Sequence, residues 1–265
     1  MFFAVLILQI ITFVLPGLFY CRINGTDHIS QLNLKRFNFP SLIFIIPSTL
    51  LLFLSTAFIR LTGIYFSNAQ YTPSVSVDGI SFSNTVFILL VYCVCPAVCE
   101  EFVFRGIVLS SYKKYGALCS VIFSSALFSM LHFSINDFLI YFVSGVILSG
   151  TALITRSVFP CMVIHFLHNA FTIFFEGFLW KIIKIPDNPS LFMFVIGSLL
   201  LLLLFVYFSH AEYILYKYSF TVPESENPQK RDWQAAAHDF MISFLSPSFL
   251  LCVAYYAIAS VVKLR

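Results

Sequence analysis

The chain has 265 residues, of which 60% are hydrophobic and only 10% charged, with a mean hydropathy of +0.93. Soluble domains carry about 25% charged residues, so this composition excludes a soluble globular protein and points to one whose size is set by its bilayer crossings. A net charge of +3 gives no basis for nucleic acid as a partner.

A bilayer core about 30 Å thick takes about 20 apolar residues at about 1.5 Å rise per residue. This measure predicts an all-α polytopic bundle of about eight transmembrane helices, forming a single membrane domain over 1–265. The first span, 2–21, has no basic n-region, and its apolar run is too long for a signal peptide. The second is 40–59, followed by a polar Ser/Asn/Tyr-rich loop at 61–83. The third, 84–112, breaks the apolar pattern with Glu100, Glu101 and Arg105. The fourth, 117–133, carries His132. The fifth, 138–155, holds Ser144, Gly145, Ser149 and Gly150, small residues that let helices approach closely. The sixth, 158–179, carries His165, His168 and Asn169. The seventh, 190–210, contains "SLLLLLLFVYF" and is the plainest lipid-facing anchor. A long solvated loop, 211–243, leads to the eighth at 244–263. With eight crossings, Lys and Arg divide nine against five between alternate loops, which predicts both termini outside. The seven cysteines sit almost entirely in apolar runs and read as small hydrophobes.

An ionisable group inside a span costs at least ~2.5–3.5 kcal/mol on insertion scales. Concentrating such groups in the third, fourth and sixth spans suggests one shared polar site in the bundle interior. Glu101 and Arg105 are one helical turn apart, in the favoured acid-before-base order, and read as a structural ion pair. Glu100 points away from that pair and is left to face a cavity. A carboxylate in a dry site without a neighbouring cation is a stronger base than one in water. Glu100 lies about 20 Å before the basic turn at Lys113–Gly116, and His132 about 24 Å after it, so an antiparallel hairpin brings them to similar depth. His165 and Asn169 share a face, with Pro160 in the first turn, where its missing N–H costs little. In a dry site they could hold an oxyanion.

Several readings of these residues stand at this point. One is a hydrolytic site in which Glu100 and His132 activate a water. A second is a buried network that only fixes helix packing. A third is a proton relay or transporter, although the halves show no paired broken helices. A Ser or Cys nucleophile beside His132 is a further variant, but no GxSxG elbow is present. Zinc could use Glu100, His132 and His165, with His168 near. The only tight ligand pair is His165/His168, far less specific than HExxH, so no metal is favoured.

In this order and spacing the residues resemble the CPBP family of CAAX proteases and bacteriocin-processing enzymes (also called Abi), and in particular its type II CAAX prenyl protease branch. The motifs are "EEFVFR" from Glu100 to Arg105, "FSMLH" from Phe128 to His132 and "HFLHN" from His165 to Asn169. The resemblance covers roughly 84–180. It implies an intramembrane endopeptidase, a helical bundle with a cavity open to one side. It implies Glu100 as base aided by His132, with His165 and Asn169 as the oxyanion site and Glu101, Arg105 and Phe128 in support. It implies the lipid bilayer as surroundings, a peptide or lipidated protein as substrate and, for a bacterial source, the cell membrane. Some accounts of the family make it a metalloendopeptidase. The family also includes bacteriocin self-immunity proteins, so a non-catalytic membrane partner that retains the motif for packing is the alternative. His168 lies outside the motif pattern.

Overall fold

The computed structural model describes residues 2–25, 32, 34, 38–67, 82–178, 189–219 and 233–264, and every regular element among these is helical. In chain order they are α1 (Phe2–Asn24), α2 (Phe39–Ser67), α3 (82–112), α4 (Ala117–Met130), α5 (Phe138–Thr155), α6 (Phe159–Phe174), α7 (Pro189–Ser219), α8 (Trp233–Phe244) and α9 (Pro247–Leu264).

The helical class matches the expectation; by length and apolarity, the described residues do not confirm a count of about eight crossings. Among the described residues, five helices are long and apolar enough to cross a membrane: α1, α2, α3, α5 and α7. A sixth is reached only if α8 and α9, bent by 54° at their junction, are taken as one. The predicted fourth and sixth spans are α4 and α6, of 14 and 16 residues. At about 1.5 Å per residue they reach about 21 and 24 Å, less than a core of about 30 Å. The predicted loops are also shorter than expected: α2 runs on to Ser67, α7 runs on to Ser219, and α8 lies within the stretch read as 211–243. Residues 68–81 and 220–232 lie outside the described residues.

α3 is not a regular α-helix. It widens into π-helical turns at Leu89–Val94 and Phe102–Val108. Such bulges often mark functional positions. Pro96 has no N–H to give the carbonyls of Val91 and Tyr92, five and four residues back. Side chains from other helices supply the missing donors. Gln9 Nε2 of α1 donates to Val91 O at 3.2 Å, and Asn169 Nδ2 of α6 donates to Tyr92 O at 3.4 Å.

The main core lies where α2, α5, α6 and α7 meet, around Phe44, Leu52, Leu148, Ile164, Tyr207 and Ile214. α5 also packs tightly against α4. A Cβ at Gly145 would stand 2.8 Å from Ser125 Cα, so only glycine permits that approach. By contrast, α1 and α7 expose long rows of Leu, Ile and Phe, as lipid-facing helices do. The short helices α4 and α6 lie inside the bundle beside α3, and the buried polar groups gather there.

Candidate active site

The second π-helical turn of α3 follows directly on Glu101 and contains Arg105. Both side chains are fully buried. Arg105 Nη1 donates to Glu101 Oε1 at 3.0 Å, and Arg105 Nη2 donates to the Gly145 carbonyl at 3.2 Å. The guanidinium carbon lies 4.5 Å from the centre of the Phe128 ring. Charge, hydrogen bonds and a cation–π contact therefore hold Arg105 together, which is what a buried cation requires.

Glu101 has a second partner that helical spacing did not reveal. His165 Nδ1 lies 2.8 Å from the same Oε1. A carboxylate accepts, so Nδ1 is the donor, and Nε2 is the nitrogen left to face Glu100. Glu101 is thus more than a partner for Arg105: it orients the His165 ring. His165 Nε2 stands 4.0 Å from Glu100 Oε2. That oxygen is buried and has no hydrogen-bond partner among the described residues. A buried, unpaired carboxylate oxygen is costly unless something the site binds will satisfy it.

Glu100, His132, His165 and Asn169 all line one cavity of about 310 Å³. His132 Nδ1 lies 3.1 Å from the Phe128 carbonyl. A carbonyl can only accept, so this nitrogen carries the proton and Nε2 keeps a lone pair. The His132 ring stacks on Tyr141, with centroids 3.6 Å apart and planes 15° from parallel. Phe128 stands edge-on to both His132 and His165, at 5.2 and 5.8 Å. Asn169 spends one amide N–H on Tyr92 O, and an Asn amide has two.

His168, unassigned from the sequence, lines the same cavity but turns towards α2. Its Nε2 lies 3.5 Å from Thr56 Oγ1, and its ring packs on Phe53. Sequence reading missed further polar lining residues, among them Tyr92, Tyr141, Thr172 and Arg60. Arg60 lies within α2, with Nε 3.4 Å from Glu176 Oε1. Glu176, an acid inside the predicted sixth span, was available as a signal for that pair.

A catalytic zinc takes three protein ligands around one point. Among the described residues, no three His, Cys, Asp or Glu side chains gather in this way. The set Glu100, His132 and His165 does not fit a zinc centre in this arrangement, so the chemistry is derived from the side chains themselves.

Residues 82–171, about one third of the chain, match the model of a family described as type II CAAX prenyl endopeptidase Rce1-like. All three motifs fall inside that stretch, and so do the cavity's polar residues from α3, α4, α5 and α6 except Thr172. No curated protein and no solved structure matches the chain. Over residues 82–171 the chain is thus similar to the CAAX protease (CPBP) family, a family of membrane endopeptidases.

Proposed function

We propose that the protein is an intramembrane endopeptidase that hydrolyses a peptide bond of a membrane-associated or lipidated protein or peptide by direct attack of an activated water. The observation that carries this reading is the unpaired buried oxygen of Glu100 facing His165 in a cavity shared with His132 and Asn169. Glu100 and His132 Nε2 are both acceptors, so together they take the two hydrogens of one water and leave its lone pair for a carbonyl carbon. The second amide N–H of Asn169 and a proton on His165 Nε2 receive the carbonyl oxygen as it becomes negative. This role uses His165 with both nitrogens protonated, and Glu101 steadies the ring through Nδ1. Glu100 takes the water's proton and passes it to the departing amine nitrogen. The C–N bond breaks, and the products are a carboxylate and an amine.

An apolar substrate suits the surroundings. A second cavity of about 480 Å³, lined by Phe53, Leu54, Phe171, Leu199 and other apolar residues of α2, α6 and α7, shares Arg60, His168 and Thr172 with the polar one. A peptide carrying a lipid or bulky apolar groups could lie along it with its scissile bond beside Glu100.

The test uses the purified full chain in phosphatidylcholine vesicles with an S-farnesylated peptide ending in a CAAX sequence. The expected result is two fragments by mass spectrometry, with ¹⁸O from labelled water in the new carboxylate. Cleavage should persist with a chelator and disappear in His165→Ala. Absence of any peptide cleavage, or equal cleavage by His165→Ala, would contradict the proposal.

A further inference from the structure

The loop that carries His132 is held from outside the family-matched segment. Residues 131–137 join α4 to α5, and Phe133 there adopts a φ of +47°, a left-handed conformation that a bulky residue rarely takes. Such a conformation persists only where its surroundings impose it. α9 supplies four contacts to this stretch or its edge. Lys263 Nζ donates to the His132 carbonyl at 3.3 Å, and Tyr256 Oη donates to the Ser134 carbonyl at 3.2 Å. Tyr255 meets the Phe133 ring edge-on at 5.5 Å, and Tyr256 meets Phe138 at 5.8 Å. The same helix is anchored along α4, where Phe249 packs on Phe123.

We propose that α9 is a positioning element, in which Lys263 and Tyr256 fix the backbone of residues 132–134 so that the His132 ring stays aimed into the cavity. A helix kept only to cross lipid has no need to place a lysine on a backbone carbonyl of the loop. Tyr256 is buried at that contact, whereas Lys263 is exposed, so its ammonium bonds the loop while remaining solvated. The two residues act through His132 and do not touch a substrate. The clamp explains how a short helix, α4, ends on an irregular turn and still presents its last functional side chain at a fixed angle.

This inference rests on the peptidase reading for its consequence, and amide exchange tests the clamp separately. The full chain in phosphatidylcholine vesicles is compared with Lys263→Ala, Tyr256→Phe, the double variant and Lys263→Arg. In the double variant, exchange of amides 131–138 should quicken by about tenfold, as expected from losing two ordinary hydrogen bonds, while amides in the body of α5 hold their rates. With the farnesylated CAAX peptide, kcat should fall by about the same factor at unchanged KM, because the loss is in aiming His132. Lys263→Arg should restore both. Unchanged exchange overturns the clamp, as does faster exchange with kcat intact. If the unaltered chain cleaves nothing, the peptidase reading has failed, and the exchange result alone decides whether α9 holds the loop.

Discussion

Glu101 joins the buried charge of α3 to the candidate chemistry of α6, because a single carboxylate oxygen serves both Arg105 and His165. Substituting Glu101→Ala would leave Arg105 buried without its counter-charge, a loss of about 3–5 kcal/mol by analogy with broken buried pairs. It would also release the His165 ring. The expected outcome is a clear fall in unfolding temperature together with loss of cleavage, measured by thermal unfolding and peptide turnover in the same vesicles. A stable Glu101→Ala protein of normal activity would mean that the pair neither supports the fold nor orients the ring. At this scale the sequence was informative about which residues gather, since intramembrane charge is too costly to be incidental. It did not disclose the Glu101–His165 contact, because a 3.6-residue period orders neighbours along one helix and is silent on which helix lies opposite. The same limit hid the Tyr141 stack on His132.

α3 shows how a helix can be made irregular for a purpose. Pro96 withholds an N–H, the turn widens, and the carbonyls of Val91 and Tyr92 become acceptors for α1 and α6. Substituting Pro96→Ala returns a donor to the helix and competes with Asn169 for Tyr92 O. The unfolding temperature should rise or stay level while kcat falls, two readings moving apart in a way that simple destabilisation does not produce. A parallel fall in both would show that Pro96 serves packing alone. Element types were legible from apolar runs, and every predicted span is mostly helical over its described residues. Element lengths were not legible. α4 and α6 lie among other helices, and an apolar stretch sheltered by protein reads like one sheltered by lipid. Gly145 in α5 was recognised as a small residue for close packing, yet its carbonyl also accepts from Arg105, which composition does not reveal.

Across the whole molecule, lipid-facing helices such as α1 and α7 enclose short interior ones whose polar faces meet in one cavity. The family match over 82–171 contains the three motifs, while α2 contributes Arg60 and much of the apolar groove, and α9 contributes the contacts to the His132 loop. Those flanking parts carry no motif and read from sequence only as apolar spans, so their part in shaping the cavity needed the fold. The most direct measurement is turnover by Glu100→Gln, which keeps the side chain's shape and removes its basicity. Loss of general-base assistance should lower kcat by about 100-fold or more, with KM and the unfolding temperature unchanged. A stably inserted Glu100→Gln protein that cleaves at the unaltered rate would contradict the account.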